Sequence, residues 1–168
     1  IASDNASVRG RVGYMPEHDC LPSQVSAAEF LTHMGEVSGL PPDMARTRAA
    51  DTLRHAGLFE ERYRAIGGYS TGMKQRVKLA QALVHDPRIL FLDEPTNGLD
   101  PAGRDEMLSL IERIGRDFGI TVIVASHLLG EIERVASWLV AIDAGHLLRT
   151  APLGSFTERT GQLIVETD

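Results

Sequence analysis

The stretch that most limits what this chain can fold into is Ile89-Leu90-Phe91-Leu92, an unbroken apolar run between Pro87-Arg88 and the acids Asp93 and Glu94. It is too short for a helix and has the continuous hydrophobicity of a strand buried on both faces. The acids then fall at the strand's carboxyl end, where open α/β sheets bind ligands. Asp93 would be well placed to hold Mg²⁺ directly or through water, and Glu94, aimed differently, to orient an attacking water. An apolar run followed by Asp-Glu also describes a strand that stops at a solvated acidic turn, so the reading depends on the rest of the chain.

A second strand of the same kind is expected at Ile120 to Ala125, ending at Ser126-His127, which sets His127 at a carboxyl end as Asp93 is. Between them Asp100 caps a helix with Pro101 at its first position, a buried stripe of Met107, Ile111, Ile114 and Phe118, and Gly119 as its stop. Upstream, Val12, Tyr14 and Met15 form a strand ended by Pro16, with Glu17 next. Trp138 to Ile142 and His146 to Thr150, joined by Asp143-Ala144-Gly145, read as a hairpin, and Leu163 to Val165 as one further strand. Strands alternating with helices imply an α/β fold with a mostly parallel sheet.

From Asp19 to Gly72 the pattern is helical. Ser26-Ala27-Ala28-Glu29 is a capping box, with Val25 and Phe30 as a hydrophobic staple. The helix it starts should run from Ala27 to about Val37, with Phe30, Leu31, Met34 and Val37 on one face. Asp43 is the expected cap of a second helix through Met44, Ala45, Ala49, Ala50, Leu53 and Ala56, ended by Gly57. This pair, lying between a strand and its continuation, reads as an inserted lobe. Next, Gly67-Gly68-Tyr69-Ser70-Thr71-Gly72 feeds a helix with Val77, Ala80, Leu83 and Val84 inward. A Ser-Thr-Gly helix start offers free N–H groups, a hydroxyl and the positive dipole end, which suits a phosphate; taken alone, an ordinary N-cap accounts for it.

Composition narrows the classes. A net charge of -6 with a pI near 5.5 argues against a nucleic-acid grip built on bulk positive charge. The single cysteine, Cys20, excludes an internal disulfide and a cysteine zinc cluster, and fits a reducing compartment. No apolar run reaches the ~18 residues that span a bilayer. The expectation is a soluble chain that docks on a membrane protein.

Taken together and in this order, these pieces resemble the nucleotide-binding subunit of ATP-binding-cassette (ABC) transporters, over nearly the whole chain. Tyr69-Ser70-Thr71-Gly72-Met73-Lys74-Gln75-Arg76 is similar to the family signature, in the YSTGMKQR form found among ATPases of drug, polysaccharide and ion exporters. Ile89 to Asp93 resembles the Mg²⁺-site strand (Walker B), Glu94 the catalytic glutamate, Asn97 to Asp100 the D-loop and His127 the switch histidine. Val12 to Glu17 resembles the Q-loop, with Glu in place of Gln. The resemblance implies ATP and Mg²⁺ as cofactors, with Asp93 and Glu17 toward the metal and Glu94 and His127 at the attacking water and γ-phosphate. It also implies a head-to-tail dimer in which Ser70, Thr71, Gly72 and Gln75 meet the partner's nucleotide and Asp100 links the two sites. A membrane permease would be the other partner, nucleic acid is not expected, and the location would be the cytoplasmic face of the cell membrane.

The organisation this implies is a P-loop NTPase-like ABC ATPase core. Residues 1–19 would end one core segment with the Q-loop and 20–69 form the helical subdomain. Residues 70–157 would carry the signature, Walker B, D-loop and switch histidine, and 158–168 begin a C-terminal extension. The departure is that neither lysine, Lys74 nor Lys78, lies in a G-x-x-x-x-G-K-[S/T] phosphate loop. The phosphate loop and N-terminal β-subdomain are therefore expected to be missing, leaving a fragment that binds ATP very weakly and does not hydrolyse it. The alternatives are a non-transport ABC ATPase acting on the ribosome or DNA, which tends to carry tandem cassettes, coiled coils or zinc modules not seen here, and a degenerate docking or dimerisation remnant. The intact Asp93, Glu94 and His127 speak against the remnant.

Overall fold

The computed structural model describes residues 8–157. The strand expected at Leu163 to Val165, the extension at 158–168 and the first seven residues lie outside them.

Three short apolar runs form a parallel sheet in the order β1 (Val12–Met15), β2 (Ile89–Asp93), β3 (Thr121–Ala125). The register pairs Met15 with Leu92 and Asp93 with Ala125, so the carboxyl ends finish along one edge. Between β1 and β2 come α1 (Ala27–Val37), α2 (Pro42–His55), a 3₁₀ turn (Ile66–Gly68) and α3 (Thr71–Leu83); α4 (Pro101–Phe118) joins β2 to β3.

The helix start at Ser26 forms as the capping box requires: Ser26 Oγ accepts from Glu29 N–H at 3.2 Å and Glu29 Oε2 accepts from Ser26 N–H at 2.9 Å. Three expected details differ. Val37 is 66% exposed, because α1 turns its small residues Ala27 and Gly35 toward α2: a Cβ on Gly35 would lie 3.1 Å from that of Ala45. The second helix begins two residues earlier than a cap at Asp43 would give, with Pro41 as N-cap and Pro42 at its first position. Phe118 lies 48% exposed at the end of α4, edge-on to His55.

The described residues of this unit carry two cores, and α3 serves both. Val77, Ala80 and Val84 pack into the helical lobe with Leu31, Leu53, Leu58, Ile66 and Tyr69, while Leu79 and Ala82 face the sheet core of Met15, Leu90, Leu92, Met107, Ile111 and Ile114. Gly13 marks the tightest crossing of α3 over β1, since a Cβ there would sit 2.0 Å from the Ala82 carbonyl oxygen. The strands expected to be buried on both faces are buried on one. Leu90 and Leu92 point into the core, whereas Tyr14 (53%), Phe91 (39%) and Ile123 (45%) stay exposed on the opposite face, because the core residues from α3 and α4 all meet the Leu90–Leu92 side.

Residues from Leu128 onward form a second compact unit. It holds α5 (Leu129–Val135), the antiparallel hairpin of β4 (Trp138–Asp143) and β5 (His146–Pro152), and α6 (Gly154–Thr157). Ala144 and Gly145 both have positive φ (46° and 78°), the tight-turn geometry that matches strand twist. The Trp138 indole donates to Thr150 Oγ1 at 2.8 Å across the hairpin.

Candidate functional site

The parallel register delivers Glu94 and His127 to one edge, each just beyond a strand end. Glu94 Oε1 accepts from the His127 backbone N–H at 3.0 Å and lies 2.8 Å from His127 Nδ1. The carboxylate accepts, so Nδ1 carries the hydrogen and the ring tautomer is set by Glu94. The Glu94 side chain is 16% exposed and that of His127 73%, which puts the carboxylate behind the imidazole.

Glu94 has φ of 46°, in the left-handed region that non-glycine residues avoid. Its N–H donates to Ala125 O at 2.9 Å and its carbonyl accepts from Asn97 N–H at 3.1 Å, bonds that hold a backbone costing on the order of 1–3 kcal/mol. Such strain is found where surrounding structure enforces it and a side chain has to be aimed.

The second carboxylate group is assembled more loosely. Tyr14 donates its hydroxyl to Asp93 Oδ2 at 3.3 Å, and Asn97 donates Nδ2 to Glu17 Oε1 at 3.3 Å. The Tyr14 phenol is held above its ordinary pKa first by desolvation and then by the Asp93 carboxylate. Asp93, the last residue of β2, and Glu17, just past β1, supply hard oxygen donors at adjoining strand ends. Among the described residues no three His, Cys, Asp or Glu side chains gather into a metal cluster. Mg²⁺ typically takes one or two carboxylates and completes its shell with water and substrate phosphates, so this donor set fits it.

The helix start at Ser70 is exposed at Ser70 and Thr71 and half-buried at Gly72. Ser70 Oγ accepts from Met73 N–H at 3.3 Å, so the hydroxyl caps its own helix. Gln75 is in a different place: it is 6% exposed, its Nε2 donates to Asn97 O at 2.9 Å, and its Oε1 is buried with no partner. The structure therefore separates the buried Gln75 from the exposed Ser70 and Thr71 and the half-buried Gly72. Asp100 serves as N-cap of α4, accepting from Gly103 N–H at 2.9 Å.

Sequence reasoning missed Lys78. It is 3% exposed and its Nζ donates to the Glu17 carbonyl at 2.8 Å. Desolvation lowers its pKa, opposed by Cys20, Asp19, Glu17 and Asp93. The available signal was its spacing: it lies between Val77 and Leu79 on a helix with two inward faces, so an exposed position was never open to it.

A family model described as "ABC transporter" matches residues 2–97. The bacitracin transport ATP-binding protein BcrA of Bacillus licheniformis is 36% identical over 149 residues, covering 89% of this chain and 48% of BcrA. The structure of cbiO1 from Clostridium perfringens, part of the ABC transporter complex cbiONQ, superposes with a TM-score of 0.79 at 29% identity, over 89% of this chain and 61% of that one. The dimeric ATP-binding cassette MJ0796 in a post-hydrolysis state bound to ADP and Pi shares the fold, with a TM-score of 0.76 at 23% identity over 91% and 68% of the two chains. The chain spans about half the length of the curated relatives it matches (46%, 51% and 48%).

Proposed function

The chain belongs to the ABC transporter family, and on that premise we propose that it is part of an ATP-hydrolysing subunit that drives export of a drug, polysaccharide, ion or similar substrate through a separate membrane subunit. The observation that carries this reading is the Glu94–His127 pair: a strained, withdrawn carboxylate and an exposed imidazole joined at 2.8 Å past adjoining strand ends. A group that must polarise water beside a phosphate needs to be fixed before substrate arrives. Glu94 would act as base or polariser and His127 would contact the terminal phosphate. Asp93 and Glu17 would hold Mg²⁺, which supplies neutralisation of phosphate charge when bound.

Ser70, Thr71 and the Gly72 N–H would reach the nucleotide held by a second subunit, consistent with the exposure of Ser70 and Thr71 and with the dimeric relative. Gln75 would support them from beneath through Asn97, and Asp100 would join the two sites. The lobe at 20–69 would transmit movement of the 1–19 segment to the membrane subunit, and 70–157 would carry the chemistry. Among the described residues no helix is long and apolar enough to cross a membrane; in this reading a separate membrane subunit would form the path. The 168 residues by themselves carry no phosphate loop and would bind ATP weakly without turning it over.

The test is phosphate release with MgATP by the protein as its gene encodes it, reconstituted with its membrane subunit in vesicles. Turnover that rises with the exported substrate supports the reading. Turnover stimulated instead by ribosomes or DNA, or none at all, overturns it.

A further inference from the structure

Lys78 and Gln75 stand three residues apart on α3, and therefore on one face of it. Both are buried polar side chains, and both head groups end on loops at the site rather than on their own helix. Gln75 Nε2 donates to Asn97 O at 2.9 Å, Asn97 Nδ2 donates to Glu17 Oε1 at 3.3 Å, and Lys78 Nζ donates to Glu17 O at 2.8 Å. Glu17 is thus held twice, by its backbone and by its carboxylate, and both holds lead to α3. A lysine that only filled space would bury its stem and leave its ammonium in water. Here the ammonium is under cover, where an unpaired charge is strongly unfavourable.

We propose that Lys78 is a positioning residue. By donating to the Glu17 carbonyl it fixes the loop that bears the carboxylate, and its buried positive charge offsets the negative charge that Glu17 adds beside Asp93. Glu17 and Lys78 therefore act as a unit: the carboxylate is tolerated at this edge because the ammonium lies behind it. This rests on the functional reading only in taking Glu17 to face the metal.

The chain has two lysines and one cysteine, which makes a direct test possible. With ¹⁵N-lysine labelling, Lys78 should give an ammonium signal in slow exchange with water, and Glu17→Gln should shift that signal while leaving Lys74 in place. With a nitroxide on Cys20, three residues along the same loop, Lys78→Met should make the label more mobile and amide exchange at 17–20 about tenfold faster or more, as expected when a local opening is released. Lys78→Arg should recover part of the order, and in a Glu17→Gln background the effect of Lys78→Met should shrink, which loss of packing alone would not produce.

A Lys78 ammonium that exchanges as fast as Lys74 and ignores Glu17→Gln overturns the proposal, as does a folded Lys78→Met protein with an unchanged Cys20 spectrum. If Lys78→Met does not fold, the ammonium measurement on the natural and Glu17→Gln proteins still decides. Absence of ATP turnover with these signals intact would count against the proposed function and leave the positioning role standing.

Discussion

Two pairs of side chains sit along the same edge of the sheet, and they are built to different tolerances. Glu94 and His127 are joined at 2.8 Å, with a second bond at 3.0 Å to the backbone and a left-handed φ behind the carboxylate. Asp93 and Glu17 are each touched by one neutral donor at 3.3 Å. The first pair is held by bonds within the chain itself. The second gathers carboxylates whose own donors are neutral, the Lys78 ammonium meeting the Glu17 backbone carbonyl rather than a carboxylate, an arrangement that a cation and phosphates would complete. On the proposed reading, Glu94 and His127 would gain from being fixed in advance, whereas Asp93 and Glu17 would have to admit and release a metal with each nucleotide.

Glu94→Gln should break this comparison most severely. The amide keeps the shape and can keep one bond to His127, but cannot act as a base, so turnover in the complete subunit should fall by ~10²–10⁴ with ATP affinity nearly unchanged. Steady-state phosphate release and equilibrium nucleotide binding check both halves. His127→Ala should cost less, about 10–100-fold in turnover, at the low end of what positioned proton-transfer groups contribute, because the backbone N–H still orients Glu94 Oε1. A loss for His127→Ala as large as for Glu94→Gln would show that the imidazole, and not the carboxylate, is the principal group.

Why the first pair could be read from the sequence and the second only in outline follows from what each depends on. Glu94 and His127 each follow an apolar run, and parallel strands in register bring such residues to one edge without further information. The capping box at Ser26 and Glu29 was legible for the same reason, being complete within four residues. The hold on Glu17 is made by Asn97 and Lys78, 80 and 61 residues away. The place of Lys78 between Val77 and Leu79 points to burial, but nothing local to it says which group its ammonium meets. The exposed face of Tyr14, Phe91 and Ile123 was hidden by composition, since a parallel strand has the same hydrophobic run whether or not its second face is covered.

Asn97→Ala sharpens the comparison at smaller cost. It removes the 3.3 Å bond to Glu17 and keeps the carbonyl that accepts from Gln75. The Asn97–Glu17 contact is exposed and long, so the stability change should stay below about 1 kcal/mol, while the Cys20 loop becomes more mobile. Denaturant unfolding checks the first and the nitroxide spectrum the second. If the His127–Glu94 distance measured by spectroscopy also changed, the two pairs would be one coupled network.

The smallest effect should come from acid, and it should reach the Glu17 side first. His85 donates Nε2 to Val12 O at 3.0 Å, at the start of the strand that leads to Glu17, and its Nδ1 is buried with no partner. Desolvation foremost, with Arg48 adding, lowers its pKa below 6.5 against the pull of the Val12 carbonyl and Asp86. The unfolded chain therefore binds this proton more readily than the folded one, so the stability His85 contributes is complete above about pH 6.5 and declines as pH falls through that value toward the folded pKa. Glu29, held below 4.5 by the Ser26 N–H and hydroxyl, contributes above pH 4.5 and is lost only on further descent, in the helical lobe. Amide exchange relative to its intrinsic rate at each pH, followed from pH 7.5 to 5.5, should thus quicken at 12–17 before it quickens at 26–30, and His85→Gln should abolish the earlier step. Equal acceleration at both places would mean that β1 is not tied down through His85, and that the looser build around Asp93 and Glu17 has another origin.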